Sequence, residues 1–180
     1  MKHSLMIAAA AIALAAGSYS AEAGCVQAAR HQGGAKLSKP NKVPHLPPLS
    51  GERPDYNGSI VGLWYVVHYL PDGSVFFDSL EQWHSDGTEF ELANGYPQLG
   101  NVCLGVWKQI GPRTVQLNHI GWDFKEDGSP DGTFTLTGTA KVTQQGKHWE
   151  GPYDVKIYDV DGNLLDEVTG TSVAERISVE

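Results

Sequence analysis

The strongest constraint on this chain is a repeat between residues 60 and 180, where eight extended stretches are joined by seven tight turns. The turns are rich in Gly, Asp, Asn and Pro, as at 71–74, 85–87 and 161–163. Asp-Gly and Asn-Gly pairs supply the positive φ that two-residue hairpin turns require. Eight antiparallel strands joined by short turns can close into a barrel. We therefore predict an all-β fold, an eight-stranded antiparallel up-and-down β-barrel with an extended N-terminal arm.

The barrel domain is predicted to span residues 60–180, and the strand bounds follow from the turn positions. Side chains alternate between the two faces of each strand, so each strand contributes every second residue to the barrel interior. The predicted strands are 60–70, 75–84, 88–93, 101–110, 114–124, 133–144, 148–159 and 163–177.

Residues 1–23 have the composition of a secretory signal peptide. A short basic start precedes an apolar run over 5–16, and residues 21–23 fit the small-x-small pattern of a cleavage site. The apolar run is too short to span a bilayer as a helix. We therefore expect a secreted or periplasmic protein. Lipid anchoring through Cys25 is the less favoured alternative, because Glu22 occupies a position that is usually apolar in lipoprotein signals.

Residues 24–59 are interrupted by Pro and Gly and predict an extended arm. The arm is either a flexible tether or a cover for the barrel wall or mouth, and the apolar segment 43–49 suits the second reading. The chain contains two cysteines, Cys25 and Cys103. In an exported protein these two residues can form a disulfide that joins the arm to the fourth strand, although a buried free Cys103 is the alternative.

Composition excludes some classes of partner. The formal net charge is −8, and basic residues are not clustered, which argues against a nucleic-acid partner. After the predicted signal peptide, no apolar segment is long enough to form a transmembrane helix.

The first strand has two apolar faces. If Trp64 faces the interior, Val66, His68 and Leu70 do so too. The opposite face is too apolar for a strand exposed to water. Either the arm covers this face or the outer surface of strand 60–70 forms a homo-oligomer. The residues of that outer face are Leu63, Tyr65, Val67 and Tyr69.

The alternate residues of the other strands predict a mostly apolar and aromatic interior. Such an interior suits a small apolar or aromatic ligand, oriented by a few polar groups. The predicted ligand contacts are Trp83, Phe90, Phe134, Trp149 and Tyr153.

Three polar residues are candidates for acid and base chemistry in the same cavity: His68, His119 and Asp123. A buried histidine beside a carboxylate can have its pKa tuned near neutrality, as a general acid or base requires. The alternatives are that these histidines are structural hydrogen-bonding residues and that the barrel is filled by its own side chains.

The histidines, cysteines and acidic residues show no metal-binding spacing. No H-x-H, H-E-x-x-H or C-x-x-C motif is present, so we predict no metal site and no cofactor. Glu81, Glu89 and Glu91 are not expected to form a carboxylate pair, since the alternation of strand 88–93 suggests that Glu89 and Glu91 face solvent.

Gly62-Leu63-Trp64 on the first strand resembles the Gly-x-Trp motif of lipocalins and the wider calycin barrels. Those families place an Arg near the end of the last strand over that Trp, and Arg176 is at the matching place. The resemblance implies that Gly62, Trp64 and Arg176 close the barrel base, with a cation–π contact of roughly 0.5–2 kcal/mol. It also implies an exported barrel that binds a small hydrophobic molecule.

The tight first hairpin at 71–74 departs from the long loop of lipocalins. The compact meander and loose arm are similar to allene oxide cyclase-like barrels, which tend to oligomerise. That resemblance implies a cofactor-free isomerase, cyclase or lyase in which His68, His119 or Asp123 carry protons. The sequence leaves ligand binding and catalysis open as alternatives.

Overall fold

The computed structural model of the protein describes residues 58–143 and 145–178. The predicted signal peptide and the arm as far as residue 57 lie outside the described residues, and so does Cys25.

The described chain is built from β-strands and one short 3₁₀ turn, Pro97–Leu99, between the third and fourth strands. No helix in these ranges is long and apolar enough to cross a membrane. The strands are β1 (Gly62–Tyr69), β2 (Val75–Trp83), β3 (Thr88–Ala93), β4 (Val102–Gly111), β5 (Thr114–Phe124), β6 (Pro130–Val142), β7 (His148–Asp159) and β8 (Leu164–Ile177).

The eight strands form a closed barrel in chain order, in which every pairing is antiparallel and β1 pairs with β8. This topology confirms the predicted fold class. The observed bounds follow the predicted ones closely, and the largest difference is that β6 begins at Pro130 rather than at residue 133.

Three of the hairpin turns share one local structure. In each, an Asp side chain accepts hydrogen bonds from both the backbone N–H and the hydroxyl of the residue two positions later, and the intervening Gly has a positive φ. The Asp side chain therefore fixes the turn, and Gly adopts the left-handed conformation at little cost. These turns are Asp72-Gly73-Ser74, Asp86-Gly87-Thr88 and Asp127-Gly128-Ser129.

The barrel base is closed by Arg176 on β8. Its guanidinium carbon lies 4.0 Å from the centroid of the Trp64 ring, which is the contact that the calycin resemblance implies. The same guanidinium donates hydrogen bonds to the carbonyl oxygens of Gly146, Val61 and Ser59. Arg176 thus joins the start of β1 to the turn before β7.

Replacing Arg176 with Ala is expected to lower the free energy of unfolding by about 2–4 kcal/mol, because it removes the contact with Trp64 and three charge-assisted hydrogen bonds. Arg176→Lys keeps the charge but not the planar fork, so its loss should be intermediate. Urea denaturation measures both, with the exposed Lys108→Ala as the control. An Arg176→Ala variant as stable as Lys108→Ala would contradict this role.

Of the four residues on the outer face of β1, two are buried within the single chain and two are half-buried. Tyr65 and Val67 are each 6% exposed, and the Tyr65 hydroxyl donates to Asp78 Oδ2 at 2.5 Å. The apolar character of this face therefore does not require a second subunit, and the homo-oligomer stays a prediction.

Candidate functional site

Four polar residues inside the barrel, Glu81, Glu89, Glu91 and His119, come from two neighbouring rows of directly paired residues. Because hydrogen-bonded neighbours in adjacent strands point to the same face, each row lines the interior together. The first row contains Glu81, Glu91, Cys103 and Gly121, and the second contains Trp83, Glu89, Gly105 and His119.

Gly105 is paired with Glu89 on β3 and with His119 on β5. Because glycine has no side chain, it leaves the space that these two side chains occupy. A Cβ atom at this position would lie 2.5 Å from Glu89 Oε2 and 2.8 Å from His119 Cβ. Gly105 therefore allows these two side chains to approach β4 closely.

His68 enters the cluster from β1. Its Nε2 atom lies 3.2 Å from Glu91 Oε1 and 3.9 Å from Glu81 Oε1. Its Nδ1 atom lies 2.9 Å from Ser172 Oγ on β8, and Phe77 stacks on the ring. With the proton on Nε2, His68 donates a hydrogen bond to Glu91 Oε1. With the proton on Nδ1, it donates a hydrogen bond to Ser172 instead, and the Nε2 electron pair is available to a cation.

Glu81 is oriented by Trp83 from the same strand. The indole Nε1 donates a hydrogen bond of 2.8 Å to Glu81 Oε2, which leaves Oε1 facing His68. Both His68 and Glu81 therefore have a second partner that fixes the orientation of the group facing the cluster.

His119 lies between two carboxylates. Its Nδ1 atom is 3.5 Å from Glu89 Oε2, and its Nε2 atom is 3.4 Å from Glu91 Oε2. Neither contact has hydrogen-bond geometry, so both His119 nitrogens, both Glu89 oxygens and Glu91 Oε2 are buried without a hydrogen-bond partner. Buried polar atoms are usually paired, so this group of unpaired atoms needs an explanation.

The cluster of His68, Glu81, Glu89, Glu91 and His119 is shielded from solvent, and each member is at most 3% exposed. Among the described residues, the one buried Lys or Arg is Arg176, at the barrel base. The charges of three carboxylates must therefore be balanced by protons, by imidazolium or by a bound cation.

The pKa is raised for two carboxyl groups of the cluster and lowered for the third. Burial, followed by the charges of Glu89 and Glu91, raises the pKa of Glu81 well above its usual value. Burial and the charge of Glu91 raise the pKa of Glu89 to about 9. Burial also acts to raise the pKa of Glu91, but His119 and His68 outweigh it and hold this pKa below the usual value. Glu91 is therefore the carboxylate that stays ionised most readily.

A small cavity adjoins His68 and Glu81 and is also bordered by Trp83, Trp149 and Tyr153. Its volume is about 20 Å³. This volume holds about one water.

Of the predicted proton carriers, the structure brings His68 and His119 into one cluster through Glu91, but it does not bring in Asp123. Asp123 is four residues along β5 from His119, or about 13 Å. It is buried beside Asp131, and burial and this second charge raise its pKa to about 8.

Four of the five predicted ligand contacts are buried in the core: Trp83, Phe134, Trp149 and Tyr153. Phe90 is not, and its prediction as a cavity residue is wrong. It lies between Glu89 and Glu91, both buried in the interior, and so points to the outer face, where its partner on β4 is the exposed Leu104.

The prediction that Glu89 and Glu91 face solvent is also wrong, and these are the residues of the candidate site that the sequence did not indicate. The local alternation of β3 favours its apolar residues inward. A signal for the opposite reading exists in the turn, because the short connection after Trp83 pairs it with Glu89. An inward Trp83 therefore requires an inward Glu89.

Cys103 is buried in the interior and is disulfide-bonded. Its predicted partner, Cys25, lies outside the described residues, so the Cys25–Cys103 pairing stays a prediction.

The arrangement of His68, Glu81 and Glu91 is that of a chelating site. One ligand atom from each lies within 4.8 Å of the other two, and all three residues are buried. Comparison of the chain with protein-family models, curated proteins and solved structures finds no match.

Proposed function

We propose that the barrel binds a divalent transition-metal ion in its interior through His68, Glu81 and Glu91. The observation that carries this proposal is the convergence of three buried ligand atoms of these residues. An imidazole and two carboxylates are ligands that such ions accept from proteins.

The distances within the site support a cation among the three atoms. Two ligand atoms bound tetrahedrally to zinc are about 3.4 Å apart, given a metal–ligand distance of about 2.1 Å. His68 Nε2 is 3.2 Å from Glu91 Oε1 and 3.9 Å from Glu81 Oε1. Only small side-chain shifts would bring these atoms to a common ion.

The hydrogen bonds that orient His68 and Glu81 also support a metal site. A metal-ligating histidine usually donates its second ring N–H to another group, which fixes the ring orientation. Ser172 fills this position for His68, and Trp83 holds the carboxylate of Glu81. With three protein ligands, a further position would fall to water, and the cavity beside His68 and Glu81 has room for about one.

Titration of the metal-free protein with Zn²⁺ or Mn²⁺ under oxidising conditions tests the proposal. We expect one equivalent of metal to bind and to raise the melting temperature, while Mg²⁺ binds much more weakly because it prefers an all-oxygen, octahedral site. Calorimetry gives the stoichiometry. Absence of saturable binding by both transition-metal ions would overturn the proposal.

Binding of a small hydrophobic or aromatic molecule is the second candidate, and cofactor-free isomerisation, cyclisation or elimination is its catalytic variant. The buried Trp83, Trp149 and Tyr153 beside His68 support it. The small volume of this cavity, about 20 Å³, argues against an organic ligand, because pockets for such ligands commonly have volumes of about 300–1,000 Å³. Native mass spectrometry of the protein from its own source distinguishes a bound organic molecule from a bound metal ion.

Export from the cell and kinship with calycin or allene oxide cyclase-like barrels are also proposals. The composition of residues 1–23 supports export, and the contact of Arg176 with Trp64 supports calycin kinship. N-terminal sequencing of the protein recovered outside the cytoplasm tests export, and a chain beginning at Gly24 is expected.

A further inference from the structure

Cys103 belongs to a second group of potential ligands, which shares Glu91 with the proposed metal site. One ligand atom each of Glu91, Cys103 and His119 lies within 4.8 Å of the other two, and all three residues are buried. Because Cys103 is disulfide-bonded, its sulfur is not a thiolate and does not serve as a strong metal ligand in this state.

The other two residues of this group, Glu91 and His119, supply an independent observation in favour of a cation. His119 Nε2 and Glu91 Oε2 face each other at 3.4 Å, and both are buried without a hydrogen-bond partner. Two potential ligand atoms at this separation are close enough to bind one cation together, and the sulfur of Cys103 would supply a third ligand once reduced.

We propose that reduction of the Cys103 disulfide creates a second metal site, formed by the Cys103 thiolate, His119 and Glu91. This set of sulfur, nitrogen and oxygen ligands suits a thiophilic divalent ion such as Zn²⁺ or Co²⁺. Only the bridging role of Glu91 rests on the proposed function. There Glu91 Oε1 faces His68 and Oε2 faces His119, so one carboxylate would join two ions.

The redox step is thiol–disulfide exchange with a dithiol reductant. The dithiol is oxidised to its own disulfide, and the S–S bond of Cys103 is replaced by two protein thiols that receive the two protons of the reductant. Metal binding then releases the Cys103 proton to solvent, since the thiolate is the ligand.

Cobalt titration before and after reduction tests the second site. In the oxidised protein we expect about one equivalent of Co²⁺ and no thiolate-to-cobalt charge-transfer absorption. In the reduced protein, after removal of excess dithiol, we expect a second equivalent together with that absorption. Reduced protein that lacks the absorption, or that loses its β-sheet circular dichroism on reduction, would overturn the proposal.

Variants separate the two sites. Cys25→Ser leaves Cys103 unpaired if Cys25 is its partner, so the thiolate absorption should then appear without a reductant. Cys103→Ser and His119→Ala should each lose the second equivalent and keep the first. His68→Ala should lose the first equivalent and keep the absorption. If His68→Ala has no effect while the absorption persists, the proposed function fails and the second site stands.

Discussion

Replacing His68 with Ala is expected to weaken the binding of Zn²⁺ by at least about 100-fold in the oxidised protein. Loss of a group that merely orients a ligand costs about 10–100-fold in metal affinity, and His68 is itself a ligand in the proposed site. His119 does not replace it, because its Nε2 faces the other oxygen of Glu91. Competition with a chromogenic chelator measures the affinity, and the metal-induced rise in melting temperature should disappear with it.

The matched control is His148→Ala, since His148 is exposed at the start of β7. Its zinc affinity should equal that of the unmodified protein. Glu81→Gln preserves the shape of the side chain and can still accept the hydrogen bond from Trp83, but it removes a charged ligand. We therefore expect the zinc affinity to fall by about 10-fold or more. Equal zinc affinity in His68→Ala and His148→Ala would exclude the His68 site.

The metal-free protein is expected to lose stability as the pH rises from about 5 to about 8. The pKa of Glu89 is raised to about 9 and that of Asp123 to about 8, and the pKa of Glu81 is also raised. Their unfolded pKa values are about 4. In this range the folded protein therefore binds more protons than the unfolded chain, and its free energy of unfolding falls with pH.

Each such group lowers the free energy of unfolding by up to about 1.4 kcal/mol per pH unit. We therefore expect the free energy of unfolding to fall by at least about 2 kcal/mol over this pH range. The lowered pKa of Glu91 acts in the opposite direction, but only below its unfolded value of about 4.3. Bound metal requires deprotonated ligands, so its stabilising effect should grow over the same range.

Urea denaturation at several pH values, with a chelator present, measures this dependence. Glu89→Gln imitates the protonated side chain and should flatten it, by up to about 1.4 kcal/mol per pH unit. Glu150→Gln, at an exposed position of β7, should leave the dependence unchanged. Stability that stays constant or rises over this pH range would show that these carboxyls are not held protonated in the fold.

The barrel could be predicted from the sequence because its turns are encoded locally. Asp72, Asp86 and Asp127 each fix a turn through bonds to a residue two positions later, and such contacts do not depend on the rest of the chain. His68 and His119 could also be placed inside, since apolar neighbours surround each of them on the same face of its strand.

The carboxylate part of the site could not be predicted in this way. In β3 the apolar Phe90 and Leu92 alternate with Glu89 and Glu91, and local burial energetics alone favours the apolar pair inward. The barrel has the opposite arrangement, because β3 must keep its register with β2, where Trp83 faces inward opposite Glu89. The pairing of β3 with its neighbouring strands therefore overrides its local preference.

The sequence by itself determined where strands begin and end and that consecutive strands pair as an antiparallel meander, because turn geometry depends on residues next to one another. Only the tertiary structure decided which face of β3 points inward and brought Glu81, Glu91 and His68 to one point. Those residues come from three strands, and their convergence depends on strand register and barrel closure, which involve contacts between distant parts of the chain.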